Sequence, residues 1–493
     1  MTAITTDLSS GYSPPGVYIA ESSDPVSVST GLPPGRLTLI GRGQGAQRAT
    51  EQISLNTDGV RLTQKGIDQT SLVVRSVSND AEIPASQYTV EEQPQSDGDQ
   101  DYYLRIFAVV PDGEETIDPV QVWVSYTFVP VGYFAPRIFT DPNDVRTLYG
   151  PGISSTVDPE AVNPINSPLT LAAEIAFANG APEILVVPLD LVPGASSTSV
   201  REAISAAYGQ IGADYASSIV VPLFDGLESS DVISAAGDLR GHVALSSANG
   251  YYRVGIFGPP LSYTGSPSDL LASGGLAYSR LIMAYASPQG MVYRSNVSGA
   301  RMNVGHQYLA VAYGARMASN PVQQSLTRRP ITGFSDVGSR PNATQKNSWA
   351  AAGVALTERD RNQRMIIRHG TSTDRSDLVA AEPSVTRARD VMVAMIQSAL
   401  DDSSLIGSPM DDNSPMAVKS IVAGVLEYCV TNNIIVAYNP TQVRMASLNP
   451  SVIEVRFGYR PSFPLNYIMV NFAIDLNTGQ TDGLDETTGT ALG

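Results

Sequence analysis

Ser167-Pro168-Leu169-Thr170-Leu171-Ala172-Ala173-Glu174-Ile175-Ala176-Phe177-Ala178-Asn179-Gly180, followed closely by Ile184-Leu185-Val186-Val187, decides the fold class. Ser167 has a side-chain oxygen that can accept from the unpaired N–H groups of a first helical turn, and Pro168 sacrifices no hydrogen bond at that position. Leu171, Ile175 and Ala178 fall on one helical face, and Asn179-Gly180 supplies the stop. The four apolar residues after it predict a buried strand.

The same unit recurs downstream. A helix over about 199–211 leads to a strand at 219–221, and a helix from Asp231 leads to a strand at 254–257. This alternation predicts a largely parallel, helix-covered sheet with right-handed crossovers. Two further helical stretches, 268–286 and 305–318, precede a loop rich in Arg, Pro, Gly and Asn over 320–347. Helices over 384–400 and 415–432 then lead to Ile453-Glu454-Val455-Arg456-Phe457-Gly458-Tyr459-Arg460, whose alternation predicts a half-buried strand. A second strand, 468–474, places Ile468, Val470, Phe472 and Ile474 on one face.

Residues 51–130 differ in character. Three β-rich runs, 71–77, 103–107 and 120–128, are separated by Asp/Gly/Pro turns, and Val120, Val122, Val124, Tyr126 and Phe128 alternate with Gln121, Trp123, Ser125 and Thr127, so one face is largely apolar. The fold class is therefore α/β and α+β multidomain. Its expected parts are an N-terminal arm and linker (1–36), a first core strand and turn (37–50), an inserted β-rich outer domain (51–130), an α/β core (131–350), a C-terminal α+β domain (351–476) and a flexible tail (477–493).

Composition narrows the function. The 493 residues exceed what one hydrophobic core organises, and 42% hydrophobic content suffices for several. A net charge of −17 opposes unspecific binding to nucleic acid or anionic lipid, so neither direct nucleic-acid contact nor membrane insertion is expected. Lysine occurs only at Lys65, Lys346 and Lys419, an arginine bias read as genomic. One cysteine, Cys429, permits no intramolecular disulfide. No Lys or Arg precedes Arg36, and the longest apolar run, 421–437, is interrupted by Glu427, Asn432 and Asn433, so neither a signal peptide nor a membrane span is expected, and assembly is expected in a cytoplasm.

The catalytic motifs fail on spacing. Gly41-Arg42-Gly43-Gln44-Gly45 after an apolar strand is similar to a dinucleotide fingerprint, but its third glycine is one place early and β-rich sequence follows where a helix is needed. His242, His306 and His369 form no local metal motif, no phosphate loop precedes any lysine, and no nucleophile elbow occurs. Asp97, Asp99 and Asp101 have Tyr102 where a calcium loop needs glycine and Ala108 where it needs glutamate. Asp401-Asp402 and Asp411-Asp412 flank a loop between helices, where carboxylates favour a helix N-terminus. No catalytic, cofactor or metal site is expected. Extended arms at both ends instead invite strand addition between subunits, and such a head-to-tail contact generates helical arrays.

In sequence order, the landmarks resemble those of the tail sheath proteins of contractile-tailed, myovirus-type bacteriophages and related contractile injection particles. Pro14-Pro15-Gly16-Val17-Tyr18-Ile19 is similar to the opening Pro-Gly-Val-Tyr arm, and Leu39-Ile40-Gly41-Arg42-Gly43-Gln44-Gly45 to the first core strand and glycine turn. The helix ending in Asn179-Gly180, and residues 417–432 with 451–474 around the Pro461 to Pro464 link, resemble later landmarks. The resemblance implies hexameric rings stacked in a helical sheath around a tail tube, shortening to drive the tube through a host envelope, with baseplate and tail terminator proteins as further partners. It implies a virion tail location and assembly in the host cytoplasm.

Carried onto this sequence, the resemblance makes Val17, Tyr18 and Ile19 the donated N-arm strand, and Ile468, Val470, Phe472 and Ile474 the C-arm strand. Arg387, Arg389 and Asp390, on the helix 384–400, become the candidates for tube contact. Three alternatives stand beside it: the sheath of a DNA-free injection particle, an α/β nucleotide-cofactor enzyme, and a virion surface binding protein.

Overall fold

The computed structural model describes residues 19–20, 27–28, 35–94, 102–110, 119–153, 165–191, 195–212, 214–294, 301–446, 451–466 and 468. Its centre is an eight-stranded sheet built from β1 (Leu37–Gly41), β2 (Arg137–Phe139), β3 (Ile184–Pro188), β4 (Ile219–Pro222), β5 (Val254–Phe257), β6 (Leu281–Tyr285), β7 (Val354–Arg359) and β8 (Met365–Ile367). The spatial order is β2-β3-β1-β4-β5-β6-β7-β8. The six inner strands run parallel, while β2 and β8 close the two edges antiparallel.

Ten helices accompany the sheet among the described residues: α1 (Pro142–Tyr149), α2 (Pro168–Ala178), α3 (Ser197–Ile211), α4 (Ser229–Ala248), α5 (Pro267–Ser273), α6 (His306–Ser319), α7 (Ala343–Ala351), α8 (Leu378–Ala381), α9 (Pro383–Asp401) and α10 (Ser414–Thr431). Alternation along each strand divides the core into two layers. Ile184 and Val186 join Leu37, Leu39, Ile219 and Val221 beneath α1, α2 and α6. Leu185 and Val187 point the other way, with Ile40 and Val220, under α3, α4, α5 and α7. Each such side chain contributes about 1.5–3 kcal/mol relative to remaining exposed.

Local signals explain the element ends. In α2 the Ser167 side chain accepts from the Thr170 N–H at 3.2 Å, Pro168 occupies the first turn, and Gly180 adopts φ +91° beyond the cap residue Asn179. The helix α6 is buried nearly all round, and Gly314 permits this: a Cβ there would lie 2.8 Å from Leu37 Cδ1 and 3.2 Å from Val221 Cγ2. A larger residue would force the helix away from β1 and β4.

Residues 47–128 fold on their own small core. One three-stranded sheet pairs Gln47–Leu55, Val120–Phe128 and Ile67–Ser76, and another pairs Val60–Lys65, Tyr102–Ala108 and Tyr88–Pro94. Val122, Val124, Tyr126 and Phe128 face inward with Leu62 and Ile106, while Trp123 on the opposite face is 39% exposed.

Two sequence expectations are corrected. The helix expected over 268–286 is the short α5 followed by β6, because Gly274-Gly275 ends the helix and the apolar run Leu281–Tyr285 is taken up as a strand buried between β5 and β7. The single strand expected over 453–460 is two: Ile453–Arg456 pairs with Gln442–Met445, and Tyr459–Pro461 pairs with Ile435–Tyr438. Both pairs rest on α10, so the break at Phe457-Gly458 transfers the chain from one partner to the next.

Candidate assembly surfaces

The helix α9 joins the α/β core to the C-terminal unit, and its first half is buried from Pro383 to Asp390. Arg280, immediately before β6, donates from both terminal nitrogens to the Asp390 carboxylate at 2.5 and 2.6 Å. Burial alone would pull the Arg280 pKa down; the Asp390 carboxylate, with its hydrogen bonds and two neighbouring tyrosines, leaves it above the ordinary arginine value. The guanidinium also lies 4.8 Å from the Tyr252 ring centroid. Arg389 approaches the same carboxylate at 3.8 Å. Burial pushes Arg387 down to about 10, an effect that nearby Asp390 only partly opposes.

Arg387, Arg389 and Asp390, the residues expected to contact a tube, are 6%, 5% and 6% exposed in the single chain. Their polarity reads as a solvated face in the sequence. The fold supplies what the sequence hides, an arginine 110 positions away that allows this face to be buried.

The same junction anchors the start of the C-terminal segment. Glu382, before the first turn of α9, meets His369 Nε2 at 3.1 Å and accepts from Asn466 Nδ2 at 2.6 Å. Residues 462–466 thereby run over the loop 321–329, enclosing a groove of about 410 Å³ bordered by Arg329 and Phe463. Phe463, Leu465 and Ile468 are 47%, 80% and 77% exposed. Sequence reasoning did not single out Arg280, Glu382 or Asn466; each is an ordinary polar residue until the chain brings it beside its partner.

Of the expected N-arm residues, Val17 and Tyr18 lie outside the described residues. Ile19 and Ala20 pair antiparallel with Val28 and Ser27, and the strand Ser27–Val28 packs against α4 and α9. Of the expected C-arm residues, Ile468 is exposed, and Val470, Phe472 and Ile474 lie outside the described residues. Among the described residues the two small sheets of the C-terminal unit have two strands each.

The glycine turn after β1 leads into the strand Gln47–Leu55, with no helix N-terminus to receive a pyrophosphate. Gly45 N–H donates instead to the Tyr133 hydroxyl at 2.8 Å. His242 and His306 are each pushed down to about 4, chiefly by burial, and are packed flat on Tyr208 and Tyr285 respectively. Among the described residues no group of three or more His, Cys, Asp or Glu could hold a metal, and no helix is long and apolar enough to cross a membrane.

The described residues define a mixed α/β multidomain protein: a helix-covered, largely parallel sheet, a β-rich unit with its own core, and a C-terminal helix pair carrying two small sheets. A comparison of sequences makes the class specific: the chain is 30% identical over 448 residues to the tail sheath protein of Mycobacterium phage Bxz1, covering 89% of this chain and 74% of the relative. The chain belongs to the tail sheath protein family, a family of structural proteins and not of enzymes. No family profile matches it. The fold is similar to a chain of the anti-feeding prophage baseplate (TM-score 0.54, 14% identity) and to the contracted helical sheath of the same particle (TM-score 0.53, 14% identity). Each likeness spans 94% of this chain and all of the other.

Proposed function

We propose that the chain polymerises as the contractile sheath of a phage tail: hexameric rings stacked helically around a tail tube, shortening to drive that tube through the host envelope. The observation that carries this reading is the state of the C-terminal unit. Among the described residues its sheets have two strands each, and a two-stranded pair is marginal in water by itself. Strands donated by neighbouring copies would complete them, the N-arm strand through Val17, Tyr18 and Ile19 and the C-arm strand through Ile468, Val470, Phe472 and Ile474. The apolar Leu465 and Ile468, exposed where the C-terminal segment leaves the fold, suit burial against such a neighbour.

Contraction in this reading needs no nucleotide. Subunits assemble in an extended, kinetically held arrangement and pivot nearly as rigid bodies on release, with their strands still paired. Tail tube, baseplate and tail terminator proteins are the partners outside the sheath itself, in a particle assembled in the host cytoplasm. Negative-stain electron microscopy of the purified chain, over a range of protein and salt concentrations, tests the polymer. Hollow tubes with a regular helical repeat are expected; small uniform particles that persist even with the cognate tube present would refute it.

A further inference from the structure

The chain is strongly polarised in charge. Residues 51–130 contain fourteen acidic and four basic side chains, a net of −10, whereas residues 270–375 contain thirteen basic and four acidic, a net of +9. In a chain whose total is −17, a basic segment of this size is a local reversal of sign.

Many of these charges face outward. Asp58, Asp68, Glu82, Glu91 and Glu92 are exposed on the inserted domain. On the basic side, Arg294 and Arg301 sit directly opposite each other in an antiparallel pair, both exposed. Like charges in that position repel, and Asp336, on the adjacent strand opposite Val292, is paired with Arg340 and Arg359. Backbone pairings bring further arginines to the same edge. The strand Met291–Arg294 pairs with Phe334–Val337, Pro330 bridges Ile366 in β8, and the Arg328 N–H donates to the Ile367 carbonyl. Arg328 and Arg361 are exposed there.

Among the described residues the two regions are not paired with each other. The ion pair described inside the inserted domain is the exposed Arg75–Asp80, and among the described residues no ion pair links 51–130 to 270–375. Oppositely charged segments that do not pair within a chain favour a heterologous contact, one copy's acidic segment against the next copy's basic segment, and such contacts propagate without closing.

We infer that the inserted β-domain of one subunit docks through its exposed acidic side chains on the basic edge formed by residues 294–375 of a second copy. The occupant of the basic edge is thus another copy of this chain, and the inserted domain is an assembly element. The inference rests on the polymer reading above and adds a second, electrostatic contact to it.

Charge reversal on both sides tests the contact. The acidic-segment variant carries Asp58→Lys, Glu91→Lys and Glu92→Lys; the basic-edge variant carries Arg301→Glu, Arg328→Glu and Arg361→Glu. Each alone is expected to raise the protein concentration needed for tubes by about tenfold or more, since like charges in register cost several kcal/mol. An equimolar mixture of the two variants is expected to recover assembly through alternating contacts, and the six-fold variant to recover it alone. Either triple variant assembling at the wild-type concentration, or no recovery in both combinations, overturns the inference. Should a triple variant misfold by circular dichroism, the wild-type chain decides: tubes that dissolve as sodium chloride rises support the contact, and assembly indifferent to salt overturns it. A wild-type chain that forms no tubes under any condition refutes the polymer reading instead.

Discussion

Arg280 and Asp390 form a two-pronged ion pair between the start of the inner strand β6 and the helix α9, with both side chains less than a tenth exposed. The pair fixes how the C-terminal unit attaches to the core. Removing one partner strands the other charge in a low-dielectric site, which costs about 3–5 kcal/mol. Asp390→Ala is therefore expected to lower the denaturant midpoint sharply, and Arg280→Met with Asp390→Leu to recover much of the loss. Equal stability of wild type and Asp390→Ala in urea melts would show that the pair does not hold the junction.

Asn179 supports a second prediction. Its side-chain oxygen accepts from the Thr332 N–H at 2.9 Å, and its amide donates to the carbonyls of Thr332 and Ile175 at 3.0 and 2.9 Å. Asn179→Ala leaves a part-buried backbone donor and acceptor without these partners, a cost of about 1–3 kcal/mol each. Thermal melts are expected to show a drop of several degrees, whereas Asn179→Asp, which keeps the acceptor, loses less. Equal losses from the two substitutions would argue against the clamp.

Asn179 also marks what is legible in this sequence. Its role as a helix stop is local and can be read from Asn-Gly after an amphipathic run; its bonds to Thr332, 153 positions away, cannot. The same division holds elsewhere. The cap and apolar pattern of α2 and the buried run of β3 announce themselves, because propensity, capping and burial act over a few residues. The strand β6 is hidden because Leu281–Tyr285, buried on both faces, carries no alternation to separate it from helix. The burial of Asp390 is hidden for another reason: its partner Arg280 lies 110 positions away and only the tertiary fold supplies it.

Acid is expected to weaken the fold through its histidines. His306 is held neutral, its Nδ1 3.3 Å from the Pro259 carbonyl and its Nε2 accepting from the Ser287 N–H at 3.5 Å. Burial sets its pKa at about 4, and burial with the adjacent Arg253 does the same for His242. Both folded values lie below 6.5, so between pH 6.5 and about 4 the unfolded chain binds more protons than the folded one. Stability therefore falls as pH falls through that window, by up to about 3 kcal/mol for fully buried His306 and less for the partly exposed His242. Urea unfolding at pH 7 and pH 5 should show the decline, and His306→Gln should make it shallower. A slope unchanged by that substitution would assign the pH dependence to other groups.

Cys429 gives a probe of the C-terminal unit. Its thiol is buried against Val422 and Leu426 of α10, and burial pushes its pKa up to about 11. Thiolate is the reactive form, so a water-soluble disulfide reagent at pH 8 should label the native chain far more slowly than the unfolded one. Rapid labelling without denaturant would mean that the helix pair α9–α10 opens locally, which its shared apolar core argues against.

Deletion of residues 1–22 separates folding from assembly. The central sheet begins at β1, and its two core layers draw on residues from Leu37 onward, so the truncated chain keeps every strand of the sheet. What it loses is the strand Ile19–Ala20, together with Val17 and Tyr18 ahead of it; the strand Ser27–Val28, which packs on α4 and α9, remains. The expected product is a folded monomer, with a cooperative melt close to that of the full-length chain, that forms no tubes at any concentration the full-length chain needs. The melt matters because a truncated chain that neither folds nor assembles would reveal a structural role for the arm, not an exchanged strand. Full-length tubes from the truncated chain would remove the N-arm from the assembly mechanism and leave the C-arm as the one candidate for strand exchange.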